Sequence, residues 1–172
     1  MRKKMKEVIR FTLGKNPTRI REPEWERYSL DDLERDLLQP EGDTQECIIS
    51  LISSMAAPLF SRNAGKPLTS NFLKCEMDPE VLNPWYFCYE FNEGKTLKGQ
   101  IAKYYQGTTF SVKKLNRKDI EEMEIPLPDM EQQKIIGEMY RYLMRREFLM
   151  KKQTENMKKV TLTVISKIEE DQ

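Results

Sequence analysis

The sequence predicts an α+β protein, with a compact domain over residues 1–128 followed by a long C-terminal helix over residues 129–172. Two observations support this prediction. From Glu131 to Ile168 the chain contains no proline and a single glycine, so one helix can run through the segment. Before Pro128, strand-like and helix-like segments alternate without the regular βαβ spacing of a parallel sheet, which is typical of an α+β domain.

The C-terminal helix has a coiled-coil pattern. Asp129 is a suitable N-cap, and Gln132 follows three residues later, as in a capping box. Polar residues interrupt the pattern at 146–147 and 153–154. A small domain cannot bury so long an apolar stripe, so we expect a partner helix; a single solvated helix is the alternative. The apolar side chains that recur every seven residues are the predicted dimer interface: Ile136, Leu143, Met150, Met157 and Val164.

Local patterns predict the shorter elements of residues 1–128. Asn83 followed by Pro84 is an N-cap with proline at the first helical position. The helices predicted in this part of the chain cover 84–91, 96–103 and 116–122. Runs of β-branched or alternating apolar residues predict the strands, which cover 47–52, 72–77, 109–112 and 123–127.

The net charge of +1 results from the cancellation of oppositely charged segments. The net charges are +6 over 1–20, −7 over 21–58, +5 over 59–118, −5 over 119–130 and +2 over 131–172. A basic middle segment favours contact with phosphates, and an ordinary mixed surface is the alternative. The chain contains no histidine, which excludes imidazole catalysis and histidine zinc sites.

The cysteines and the hydropathy of the sequence indicate the cellular compartment. Cys47, Cys75 and Cys88 are far apart in the sequence and form no C-x-x-C pair, so we expect reduced, buried thiols. The basic N-terminus is followed by no apolar segment of a signal peptide, and the uncharged run at 47–61 is too short to span a bilayer. We therefore expect a cytoplasmic protein with no bound metal.

Three stretches combine cations with amide, turn or aromatic residues, and they are the candidates for contact with DNA. They cover 14–19, 61–74 and 95–105. Cations neutralise phosphates, and asparagine pairs bidentately with adenine. A solvated loop is the alternative for 61–74, and core packing of the tyrosines is the alternative for 95–105. The predicted DNA-binding residues are Arg19, Arg62, Asn63, Lys66, Thr69, Asn71, Lys74 and Lys98.

Three fragments follow one another in the second half of the chain. The first, 82–87, reads Leu-Asn-Pro-Trp-Tyr-Phe and opens the helix predicted at 84–91. The second, 106–110, reads Gln-Gly-Thr-Thr-Phe and precedes a capped helix. The third, 120–136, contains Ile-Pro-Leu-Pro, a glutamine after the cap, and the start of the long helix. Together they resemble the specificity subunits of type I restriction–modification systems, and the third fragment is the most specific.

The resemblance implies a target-recognition domain that reads DNA sequence and a spacer helix, with no catalysis and no cofactor of its own. Full-length members have two such domains and two antiparallel helices, so this chain resembles a half-size subunit. It would form a homodimer through its helix, or pair with a second half subunit, and read an inverted repeat in double-stranded DNA. The implied protein partners are methyltransferase (modification) subunits and a restriction/translocase subunit. Recognition residues differ between members, so no DNA contact is carried over.

Two other functions account for parts of the sequence. A protein–protein or anti-restriction module with a coiled-coil helix and no DNA role would account for the helix. A small methyltransferase would account for Asn83-Pro84-Trp85-Tyr86, which is similar to the Asn/Asp-Pro-Pro-Tyr/Phe loop that holds the target amino group. Trp85 replaces the second proline, and no glycine-rich cofactor loop lies upstream, so the helix cap explains Asn83 and Pro84 better.

Overall fold

A computed structural model of the chain describes residues 1–107 and 113–170, and it confirms the α+β class. In chain order the elements are β1 (Arg2–Lys4), β2 (Ile9–Leu13), α1 (Leu30–Leu38), β3 (Glu46–Ser50), β4 (Met55–Pro58), α2 (Ser61–Ala64), β5 (Phe72–Met77), α3 (Pro84–Asn92), α4 (Lys95–Gln106), α5 (Arg117–Glu122), β6 (Glu124–Pro126) and α6 (Met130–Glu170). Short 3-10 turns lie at Met5–Glu7, Pro17–Arg19 and Glu24–Glu26.

The strands form two antiparallel sheets. The larger has four strands in the order β2-β5-β3-β4, and the smaller pairs β1 with β6. The strand predicted at 72–77 is confirmed with the same bounds, and those predicted at 47–52 and 123–127 are shorter in the structure. The strand predicted at 109–112 lies outside the described residues. Sequence patterns missed β1, β2, β4, α1 and α2.

The predicted helix caps are present. The Asn83 side-chain oxygen accepts a hydrogen bond from the Tyr86 backbone N–H at 3.0 Å, and the Asn116 side chain accepts one from Asp119 N–H at 2.9 Å. The helices predicted at 84–91 and 116–122 are confirmed as α3 and α5, and the one predicted at 96–103 extends to the full length of α4. Asn83 therefore caps a helix, as the sequence indicated.

The core lies where α3 covers the larger sheet. Four of its largest fully buried side chains are aromatic: Phe60, Tyr86, Phe87 and Phe91. All three cysteines are buried and free, which confirms the prediction of reduced thiols. Cys47 and Cys75 are cross-strand partners on β3 and β5, and the Cys88 sulfur on α3 lies 3.7 Å from that of Cys47. Burial raises the pKa of the Cys75 and Cys88 thiols, so these thiols are protonated and unreactive.

Helix α6 is 41 residues long, or roughly 61 Å at about 1.5 Å per residue. Its predicted N-cap is confirmed, since Asp129 Oδ1 accepts a hydrogen bond from Gln132 N–H at 2.8 Å. The first turns belong to the core, with Gln133, Gly137, Tyr140 and Met144 buried against the rest of the domain. The N-terminal part of α6 therefore packs on the domain, and its C-terminal part extends away from the domain.

Gln133 joins two of the fragments that carry the sequence resemblance. It is 1% exposed. Its side-chain oxygen accepts a hydrogen bond from Asn83 N–H at 3.0 Å, and its amide nitrogen donates to the carbonyls of Val81 at 3.2 Å and Pro128 at 3.0 Å. A Cβ at Gly137 would lie 2.6 Å from the Asn83 side-chain oxygen, so only glycine allows α6 to approach this closely. The fragments thus hold α6 on α3.

None of the described helices is long and apolar enough to cross a membrane.

Candidate nucleic-acid interface

Two loops that are distant in the sequence meet in a cleft. The chain after β2 runs beside the chain before β5, where Lys15 N–H donates to the Leu68 carbonyl and Ser70 N–H donates to the Lys15 carbonyl, each at 2.8 Å. A Cβ at Gly14 would lie 2.0 Å from the Thr69 carbonyl oxygen, so this contact requires glycine. The structure therefore brings together two of the three stretches that the sequence singled out.

The cleft lined by residues 12–15, 19–22 and 66–68 is basic and partly apolar, and we call it the basic cleft. Its cations are Lys15, Arg19, Arg21 and Lys66, against a single carboxylate, Glu22. Lys15, Arg19 and Arg21 are exposed and form no ion pair with the residues that the structure describes. Unpaired cations around a concave surface are what a phosphate backbone requires.

Lys66 stands at the edge of the basic cleft in an ion pair. Its ammonium group lies 2.7 Å from an Asp32 carboxylate oxygen, and about a third of its side chain is exposed. Partial burial acts to raise the pKa of Asp32, but hydrogen bonds from Lys66 and Ser29 outweigh it and lower the pKa. Lys66 is therefore positioned by α1 and keeps part of its charge accessible.

Arg62 and Asn63 form an internal network with α1. Arg62 Nε and Asn63 Nδ2 donate to the same oxygen of Asp36, at 2.7 Å and 3.1 Å. Arg62 also donates to the carbonyls of Arg35 at 3.1 Å and Gln39 at 2.6 Å. Asp36 is 0% exposed, and burial raises its pKa despite the adjacent guanidinium. Their predicted contact with DNA stays a prediction, while the structure gives both side chains a stabilising role that the sequence did not indicate.

The other predicted contacts lie outside the basic cleft. Lys74, on β5, pairs with Glu46 at 2.7 Å and Glu76 at 3.4 Å. Lys98, on α4, pairs with Glu93 at 3.0 Å. The Lys98 pair is exposed and contributes little to stability, whereas the Lys74 pairs are partly buried. Contact with DNA at Lys74 and Lys98 also stays a prediction.

Thr69 and Asn71 lie in the loop that leads from the basic cleft to β5. Asn71 accepts a hydrogen bond from Lys114 Nζ at 3.0 Å. Tyr104 packs against the core and donates to the Lys114 carbonyl at 3.2 Å, while Tyr105 bonds to the Ser54 hydroxyl. Core packing therefore accounts for the tyrosines of 95–105, as the alternative interpretation held.

Two residues of this surface, Arg21 and Trp25, were not predicted from the sequence. Arg21 lines the basic cleft because the chain stays extended after the 3-10 turn Pro17–Arg19. Trp25 is 82% exposed on the next 3-10 turn, Glu24–Glu26. A signal was present, because an aromatic residue flanked by proline and glutamates cannot belong to an apolar core segment.

A second exposed surface is the apolar stripe of α6. Every residue from 149 to 170 is exposed. Among the predicted interface residues Ile136 packs partly against the core, while the other four are about half exposed or more: Leu143, Met150, Met157 and Val164. Near the domain, Ile136, Met139 and Leu143 line an apolar groove together with Tyr89 of α3. The stripe lies about a quarter-turn around the helix from the side that packs on the domain.

The described residues contain no group of three or more cysteine, aspartate or glutamate side chains placed to hold a metal ion. Each of the two carboxylates buried among these residues, Asp36 and Glu90, has at least one internal hydrogen-bond donor. Asp36 binds Arg62 and Asn63, and Glu90 accepts a hydrogen bond from Tyr86 at 3.3 Å.

Comparison with solved structures identifies the architecture. The chain aligns with the HsdS subunit from Thermoanaerobacter tengcongensis at a TM-score of 0.53 and 14% identity, over 90% of this chain and 39% of that one. The chain shares the HsdS fold. It also aligns, at a TM-score of 0.61 and 14% identity, with a chain from a structure described as the basis of assembly and conformational transition of the type I R-M system, over 94% of this chain and 42% of that one.

The present chain thus spans about two fifths of the length of both matched chains. By sequence, no family model and no curated protein matches it. The fold predicted from the resemblance is confirmed, although the identity is too low to carry over individual residues.

Proposed function

We propose that this chain is a DNA sequence-recognition subunit of a type I restriction–modification complex and that it binds one half of a bipartite site. The HsdS fold, together with the unpaired cations of the basic cleft, is the observation that carries the proposal. The domain would supply recognition, and α6 would set the distance to a second recognition domain.

DNA contact is assigned first to the basic cleft. Lys15, Arg19 and Arg21 project from one edge with their charges unpaired by the described residues, and Lys66 projects from the opposite loop. Cations on both sides can contact phosphates across one groove of a duplex, which orients the protein before any base is read. Thr69 and Asn71 lie on the same loop as Lys66, next along the chain from the part that lines the cleft.

The helix stripe is assigned to pairing with a second helix, from an identical chain or from a second half subunit. Four predicted interface residues expose 49–64% of their surface, which is unfavourable for so many large apolar side chains in water. An antiparallel arrangement places Arg146 away from its own copy, whereas a parallel one brings the two guanidinium groups together. Two identical domains at opposite ends would read an inverted repeat.

The subunit would be non-catalytic, and its partners would supply the chemistry. We assign it methyltransferase (modification) subunits as protein partners, with a restriction/translocase subunit as a further partner. The chain has no histidine, and the carboxylates buried in its described part serve internal contacts, so the domain offers recognition groups rather than an acid–base pair.

The test is duplex binding by the purified chain, measured as fluorescence anisotropy over a range of salt concentrations. Affinity should fall as salt rises, and replacing Lys15, Arg19 and Arg21 by methionine should reduce the slope by about 0.9 for each phosphate that the protein no longer neutralises. Lys134→Met, at an exposed position on α6, is the matched control and should leave the slope unchanged. Duplex affinity that does not respond to salt would overturn the proposal.

A further inference from the structure

Trp25 is the most exposed large apolar side chain in the described residues, at 82%, whereas the other tryptophan, Trp85, is 7% exposed. Single exposed apolar residues are common on protein surfaces, so exposure alone assigns no role. The position of Trp25 is more informative, because it stands at the centre of the turn Glu24–Glu26 that follows the basic cleft.

The turn that carries Trp25 is held at both ends. Arg27 Nε donates to the Glu22 carbonyl at 2.9 Å, and Arg27 Nη2 donates to the Ile20 carbonyl at 3.4 Å. The next residue, Tyr28, donates its backbone N–H to the Pro67 carbonyl at 3.0 Å. The indole is therefore presented from a pre-ordered backbone, which lowers the entropic cost of binding a ligand.

These same contacts fasten the turn to the basic cleft. Ile20, Glu22 and Pro67 all line the cleft, and each carries one of the carbonyls that hold the turn. B-DNA has a major groove about 12 Å wide, so a duplex seated on Lys15 and Arg19 would extend beyond the cleft. The tryptophan thus stands beside the surface that the DNA would occupy.

The charge of the turn decides which part of a duplex it can meet. Residues 21–27 hold three carboxylates, Glu22, Glu24 and Glu26, and two cations, Arg21 and Arg27. The segment around Trp25 therefore has a net charge of −1 and offers phosphates no net attraction. Base edges are the better match, since a carboxylate accepts a hydrogen bond from the cytosine amino group and an apolar ring contacts the thymine methyl group. In DNA recognition, contacts to phosphates usually position the protein, and contacts to base edges determine the sequence that it binds.

We propose that Trp25 contacts base edges of the duplex bound at the basic cleft and is a specificity-determining residue of this domain. The inference rests on the proposed DNA-binding function. It assigns phosphate contact to Lys15, Arg19 and Arg21, and base contact to the turn that carries Trp25.

The experiment uses the full chain and two duplexes: a site selected from a random pool by the wild-type protein, and a scrambled duplex of the same length. Acrylamide quenching reports the exposed Trp25 and not the buried Trp85, so the selected duplex should protect the emission. Trp25→Ala should weaken binding of the selected duplex by about 5- to 150-fold, the effect typical of removing one base contact. The substitution should weaken binding of the scrambled duplex less. The dependence of affinity on salt should stay the same, because no charge is removed. Trp25→Phe should retain part of the preference.

Two results would overturn the inference while leaving the proposed function intact. One is duplex binding that depends on salt but has the same affinity in wild type and Trp25→Ala. The other is acrylamide quenching of Trp25 that is the same with and without the selected duplex. Protection of Trp25 only when a methyltransferase subunit is added, and not by DNA, would instead assign the turn to a protein contact. If no duplex binds at all, the proposed function and this inference both fail.

Discussion

Replacing Arg62 by methionine distinguishes a stabilising role from a role in DNA contact. The substitution keeps the aliphatic stem and removes the guanidinium that binds Asp36, whose carboxylate is 0% exposed. Removing one partner of a fully buried ion pair costs roughly 3–5 kcal/mol. Arg62 is 20% exposed and Asn63 still donates to Asp36, so we expect about 2–4 kcal/mol here.

That destabilisation should appear as a lower melting temperature, by about 4–16 °C for a chain of this size. It should also depend on pH. Burial already raises the pKa of Asp36, and removing the guanidinium raises it further. The folded state then binds a proton more tightly than the unfolded state, so the stability of Arg62→Met falls as pH rises above the ordinary aspartate pKa and recovers on acidification.

The assay is thermal unfolding followed by circular dichroism, with two companion variants. Arg19→Met, at an exposed position with no ion pair among the described residues, should change stability by less than about 0.5 kcal/mol. Asp36→Asn combined with Arg62→Met removes the unpaired charge and should restore most of the stability. A contrary result would be an Arg62→Met melting temperature equal to that of Arg19→Met together with a lower affinity for duplex DNA. The network around Asp36 would then not stabilise the fold, and Arg62 would contact DNA.

Three further outcomes follow from the same packing. Leu143→Asp combined with Met150→Asp should give a folded monomer by sedimentation, and an unchanged dimer would exclude the helix stripe as the interface. A chain ending at Phe148 should fold as a monomer, whereas one ending at Pro128 should lose cooperative unfolding because it lacks the part of α6 that belongs to the core. Gly14→Ala should force the two loops of the basic cleft apart, costing about 1–3 kcal/mol and weakening duplex binding, as calorimetry and anisotropy would measure.

The elements predicted best are those that local chemistry determines. Asn83-Pro84 and Asp129 mark helix starts through caps that form within one turn, and a 38-residue stretch without proline leaves little alternative to a helix. The strands β1 and β2 were missed because they pair with distant segments: Lys3 lies opposite Ile125, and Phe11 opposite Cys75. No local pattern carries that information. Strand β4 pairs with the neighbouring β3 and was missed because its alanine and proline residues are depleted in strands.

The candidate site was predicted as stretches of chain and not as a surface. The contact between Lys15 and Leu68 depends on how β2 and β5 pair, so nothing in either stretch alone indicates the basic cleft. Residue type alone does not separate two roles at Arg62, because a guanidinium suits a buried carboxylate as well as a phosphate. The division of the chain into two domains at Pro128 stays a prediction. The first turns of α6, which follow Pro128, pack into the core formed by the residues before it.

Selection of bound duplexes from a random pool shows whether this chain reads DNA sequence and whether it does so as a pair. The wild-type chain should enrich two copies of one short sequence in inverted orientation at a fixed spacing. The variant with aspartate at both Leu143 and Met150 should enrich only a single copy, because pairing through α6 places the second recognition domain. A pool in which no sequence is enriched, by the chain alone or together with its methyltransferase subunit, would contradict the assignment of this chain as a sequence-recognition subunit.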